Sequence, residues 1–109
     1  MVYAIDFDGT LCVDKFPEIG DEIPGRIAAV KDLQAKGHKV ILWTCRQNDK
    51  LGSHLDNAVA WCKERGLLFD AVNQNLPEVQ AKWGGDTRKV YCDAYVDDKN
   101  LPAQFLDHV

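Results

Sequence analysis

Apolar residues along this chain fall into short continuous runs, separated by stretches in which they recur at helical spacing. Val2-Tyr3-Ala4-Ile5 leads directly into Asp6, so residues 2–6 read as a short buried strand ending on a carboxylate. Gly9-Thr10 breaks that strand, and the 11–23 stretch, with Pro17, Gly20 and several acids, predicts a loop or small flap. Pro24 suits the first turn of a helix, where its missing N–H costs nothing. Ile27, Ala28, Val30, Leu33 and Gln34 follow at helical spacing up to a stop at Gly37. His38 to Thr44 reads as a second strand, apolar through its middle as a central parallel strand is. Polar residues 46–50 precede a helix predicted from Lys50 to Arg65 and closed by Gly66. Phe69 to Asn73 is a third, short strand, and Leu76 to Trp83 a short helix ended by Gly84-Gly85. Ala94 to Asp98 is a fourth strand, again ending on carboxylates, and Leu101 to Val109 a final helical turn.

Strands alternating with helices predict an α/β fold: a three-layer, Rossmann-like parallel sheet with helices on both faces. The chain shows no repeat, no low-complexity tract and no linker, so residues 1–109 are expected to form one domain. In such sheets ligands bind beyond the carboxyl ends of the strands, which makes the polar residues there the candidates for function.

Composition narrows the partners. A net charge of -4 supplies no basic excess to neutralise phosphates, so nucleic-acid binding is not indicated. No apolar run approaches the roughly 20 residues that span a bilayer. The N-terminus lacks a basic leader region, and a cytoplasmic location is expected. Cys12, Cys45, Cys62 and Cys92 include no C-x-x-C pair and read as reduced, mostly structural thiols, with Cys45 beside a candidate site residue. His38, His54 and His108 lack ligand spacing and are assigned no metal.

Three predicted strands end on functional groups: Asp6, then Thr44, then Asp97-Asp98, with Asp8 two residues beyond Asp6. In a parallel sheet these ends converge on one edge. Clustered carboxylates repel one another, and a hard divalent cation with oxygen ligands, magnesium first among them, relieves the repulsion. A carboxylate so placed can attack phosphorus and form an acyl-phosphate. A second carboxylate can exchange protons with the leaving group and with water. A hydroxyl at Thr44, a lysine and the backbone N–H groups after Asp6 would hold the phosphoryl oxygens.

Asp6-Phe7-Asp8-Gly9-Thr10-Leu11, placed directly after an apolar strand, resembles the first signature of the haloacid dehalogenase-like (HAD-like) hydrolase superfamily. Thr44 after Val40-Ile41-Leu42-Trp43 resembles the second, and Asp97-Asp98 after Ala94-Tyr95-Val96 the fourth. The matches come in the superfamily's order and cover residues 2 to 100. The resemblance implies a HAD-like phosphomonoesterase that binds Mg2+. It makes Asp6 the nucleophile and a metal ligand, and Asp8 the general acid/base with its backbone carbonyl on the metal. Asp98 then becomes a direct ligand and Asp97 a close supporting one. Lys89 is the first candidate for the phosphate-binding lysine, because Arg88 to Lys99 is similar to the corresponding stretch of 5'(3')-deoxyribonucleotidases. Lys82, at a spacing closer to other members, is the alternative. Gly9, Thr10 and Arg46 are further candidates for substrate phosphate.

Neither gap between the signatures leaves room for a folded cap, so the resemblance implies a capless member with an open site. Its partner would be a phosphorylated substrate, with nucleotides and macromolecules both admissible, and a homo-oligomer could close the site. A receiver-type phospho-acceptor module is the first rival, although receivers place the acidic pair early and the phospho-acceptor later. A non-catalytic binding protein on the same fold is the second.

Overall fold

Ala4 and Ile5 are adjacent in a strand, so their side chains point to opposite faces, yet both are buried. The first strand must therefore be covered on both sides. The computed structural model, which describes residues 1–109, shows how. In chain order the elements are β1 (Val2–Ile5), β2 (Cys12–Lys15), β3 (Glu18–Glu22), α1 (Arg26–Ala35), β4 (Lys39–Leu42), β5 (Asn48–Asp49), β6 (Gly52–Ser53), α2 (His54–Glu64), β7 (Ala71–Val72), α3 (Pro77–Trp83) and β8 (Ala94–Val96), followed by a 3-10 turn at Ala103–His108.

Four strands form a parallel sheet in the order β7-β4-β1-β8. Ile5 is level with Leu42 on one side and Val96 on the other, so the chain leaves all three strands at the same edge. One face carries Ile5, Val40 and Leu42, packed with Ile27 and Val30 of α1 and Ala58 and Cys62 of α2. The opposite face carries Ala4, Ile41 and Ala71 beneath Leu76, Val90 and Val79 of α3. The result is an α/β fold with helices on both faces of a parallel sheet, a Rossmann-like layout. No helix is long and apolar enough to cross a membrane. All four cysteines are free thiols, and burial pushes the Cys62 thiol up to about 12.

Three segments depart from the sequence expectation. The 11–23 stretch is an antiparallel hairpin, β2 against β3, with Asp14 opposite Ile19 and Lys15 opposite Glu18. Its polar side chains hide the strand pattern, while buried Cys12 and Gly20 seat it on the domain. Helix α1 begins after Pro24, because Gly25 adopts a left-handed φ of 82° that no helical residue takes. Helix α2 begins at His54 rather than Lys50, because β5 and β6 form a two-residue hairpin. The Asp49 carboxylate accepts a hydrogen bond from Leu51 N–H at 2.8 Å and holds that turn out of the helix.

Candidate active site

Phe7 sets the local geometry. Its ring is fully buried and meets Trp61 edge-on at 5.5 Å between centroids. Burying such a ring contributes roughly 1.5–3 kcal/mol, which fixes the loop after β1. The flanking residues, Asp6 and Asp8, are left on the wall of a cleft of about 380 Å³ at the carboxyl edge of the sheet. Asp14, Phe16, Thr44, Cys45, Arg46, Asp97, Asp98 and Lys99 complete its lining.

Asp6, Asp97 and Asp98 form the acidic heart of this cleft, each offering a carboxylate oxygen within 4.8 Å of the others. They come from the ends of adjacent strands, β1 and β8, and Asp6 N–H donates to the Val96 carbonyl at 3.0 Å. Burial, with the charges of Asp97, Asp98 and Asp8, raises the Asp6 carboxyl from 3.8 to about 6, against a hydrogen bond from Phe7 N–H that lowers it. Asp98 is held below the ordinary carboxylate range, first by its hydrogen bond with Asp97 and then by Lys99, whose ammonium lies 3.5 Å away. Asp97 also accepts from Lys99 N–H at 2.8 Å, which shapes the turn after β8. Gly9 makes room for Asp98: a Cβ there would run into its carboxylate, and the backbone has a φ of 84°.

Five carboxylates and two cations line the cleft, and one of those cations is spent on Asp8. The surplus of negative charge, and the cluster of hard oxygen donors, fit a magnesium-like cation.

The remaining sequence candidates divide. Thr44 lies on the cleft wall, where its N–H donates to Asn73 Oδ1 at 2.8 Å and its hydroxyl accepts from Arg46 N–H at 3.2 Å. Asp8 lines the cleft but stands apart from the acidic cluster, because Arg46 Nε and Nη2 each donate to its carboxylate at 2.8 Å. Arg46, a candidate for substrate phosphate, is buried and bound to Asp8 instead. Gly9 and Thr10 turn their N–H groups back to the Cys12 and Phe7 carbonyls, so neither offers a free backbone donor. The Thr10 side chain is buried beside a second, mainly apolar cleft between α1 and the β1–β8 edge.

Neither lysine candidate lines the cleft. Lys89 lies 5.5 Å from the Tyr95 ring centroid, next to Val90 in the opposite-face core, and Lys82 lies over Trp83. Lys99 is the lysine that the fold brings to the acids. Its position directly after Asp97-Asp98 is the signal for it in the sequence, whereas Lys82 and Lys89 both precede the strand. Asn73 was also missed. With a φ of 51°, it clamps the loop after β4 by accepting from Thr44 N–H and donating from Nδ2 to the Arg46 carbonyl at 3.2 Å.

Together, the fold and this cleft define a small parallel α/β protein with an acidic cluster at the carboxyl edge of its sheet. No protein-family model and no curated protein matches the chain. Among solved structures it is similar to a conserved protein coded by a locus of Bacteroides thetaiotaomicron, with a TM-score of 0.80 and 39% identity, over 99% of this chain and 86% of that one. The chain belongs to the same family as that conserved protein.

Proposed function

We propose that this protein is a magnesium-dependent phosphomonoesterase of the HAD-like type, capless, with Asp6 as its nucleophile. One observation carries the reading: Asp6 stands at the end of the central strand β1, inside a carboxylate cluster, with Thr44 and Lys99 on the same cleft wall. Asp6, Asp97 and Asp98 would hold the cation, which when bound offsets their charge and polarises a phosphoryl oxygen.

The protein's own groups then divide the work. The Asp6 carboxylate attacks phosphorus, and the bond to the leaving oxygen breaks as the aspartyl-phosphate forms. Asp8 protonates the leaving oxygen, then takes a proton from the water that hydrolyses the acyl-phosphate and restores Asp6. Arg46 occupies two of the roughly four lone-pair sites of the Asp8 carboxylate and leaves the others for this exchange. The Thr44 hydroxyl and the Lys99 ammonium bind the remaining phosphoryl oxygens.

The test is phosphate release from p-nitrophenyl phosphate and a panel of phosphate esters, with and without Mg2+. Turnover is expected in wild type with Mg2+ and is abolished in Asp6→Asn, while Asp8→Asn slows it. Equal turnover in wild type and Asp6→Asn would remove the nucleophile from the scheme. Absence of turnover on every ester would favour a binding role.

A further inference from the structure

Arg46 is 2% exposed, and its guanidinium reaches well beyond Asp8. Nη1 donates to the Pro17 carbonyl at 3.2 Å and to the His54 carbonyl at 3.4 Å, and Nη2 also donates to the Glu18 carbonyl at 3.0 Å. Two rings, Phe7 and Phe16, pack against it, each with its centroid 5.1 Å from its central carbon. Phe7 belongs to the core, whereas Phe16 lies at the tip of the β2–β3 hairpin, with its ring against His54 at 5.1 Å. One side chain from the loop after β4 therefore joins the Asp8 carboxylate, the turn of the hairpin and the start of α2.

A buried guanidinium has five donors to satisfy and loses much when any goes without an acceptor. Asp8 provides for Nε and one Nη2 donor, and the hairpin turn takes donors from both Nη groups. Displacing the turn strips Arg46 of the Pro17 and Glu18 carbonyls and of the Phe16 ring. Neutralising Asp8 strips it of its only paired carboxylate. Each end thus bears on how firmly Arg46 holds the other, and such coupling is reciprocal. The hairpin also contributes Asp14 and Phe16 to the cleft wall, so a ligand there touches one of the coupled elements.

We propose that Arg46 is a positioning residue that couples the β2–β3 hairpin to Asp8: the seated turn holds the Asp8 carboxylate in one orientation, and its release frees that carboxylate. The catalytic consequence rests on the phosphohydrolase reading; the coupling does not.

Amide hydrogen exchange of the metal-free chain of residues 1–109 tests it. Asp8→Asn and Arg46→Lys are each expected to speed exchange across residues 12–22 about fivefold or more, the low end of ordinary coupling, with peptides from β1 and β4 unchanged. The double variant is expected to match the faster single variant rather than multiply the two effects. From the other end, Phe16→Ala, a change at an exposed ring, is expected to shift the Asp8 carboxyl 13C resonance. Unchanged hairpin exchange in both variants, faster exchange throughout the chain, or an unmoved Asp8 resonance in Phe16→Ala overturns the coupling. Hydrolysis assays on the same variants separate the two ideas. Coupled exchange without turnover sinks the phosphatase reading alone, and turnover with uncoupled exchange sinks the role of Arg46 alone.

Discussion

Replacing Asp6 with asparagine is expected to make the metal-free protein more stable at neutral pH. In the fold, the Asp6 carboxyl ionises near 6 rather than 3.8, chiefly through burial and then through its acidic neighbours. Its charged form is therefore penalised relative to the unfolded chain. At about 1.36 kcal/mol per pH unit, that displacement amounts to about 3 kcal/mol for a fully buried group. Asp6 is only partly buried, so solvent screening brings the figure to about 1–2 kcal/mol. The sign follows from proton linkage. Below pH 3.8 the carboxyl is protonated in both states and the penalty vanishes; between 3.8 and 6 the folded state holds the extra proton, and stability falls as pH rises. Above 6 the full penalty remains. Asparagine keeps the shape and can still accept the Phe7 N–H, but carries no charge. Thermal melts of metal-free wild type and Asp6→Asn, from pH 4 to 8, check this. At about 4–8 °C per kcal/mol for a domain near this size, the variant should melt at least 4 °C higher at pH 7.5, with the gap closing toward pH 4. A variant that melts lower than wild type at pH 7.5, or a gap independent of pH, would refute the reasoning. Adding Mg2+ should raise the wild-type midpoint and move the variant less, since a ligand stabilises only the state that binds it.

Two further outcomes follow from the cleft. Gly9→Ala forces a β-carbon onto the Asp98 carboxylate at a left-handed position, so a loss of about 1–2 kcal/mol in a denaturant melt is expected, together with weaker Mg2+ binding by calorimetry. Lys99→Met is expected to lower kcat/KM on phosphate esters by about 10²-fold, the scale of losing one transition-state donor, while Lys89→Met leaves it nearly unchanged. The reverse result would return the phosphate-binding role to Lys89.

Sequence alone determined the order of the parallel strands along the chain and the carboxylates at their ends. Runs such as Val40-Ile41-Leu42 are buried on both faces, and only a covered parallel sheet satisfies them. Because Ile5, Leu42 and Val96 end level, the chain leaves all three strands at one edge, and Asp6, Thr44 and Asp97 line the one cleft there. The hairpin at 12–22 was not legible, because its apolar residues do not alternate with its polar ones: Val13 and Phe16 are exposed, and its pairing satisfies the backbone without an apolar stripe. Tertiary structure alone decided which groups face one another inside the cleft. Asp8 and Arg46 lie 38 positions apart, and the guanidinium that joins them packs against Phe7 and Phe16, from β1's exit and from the hairpin tip. The lysine was decided the same way: Val90 and Tyr95 draw the 89–95 segment to the opposite-face core and carry Lys89 with it, while the turn after β8 swings Lys99 back over the acids. Periodicity reports which face of an element is buried; the direction of a long charged side chain depends on partners that only the folded chain brings near it.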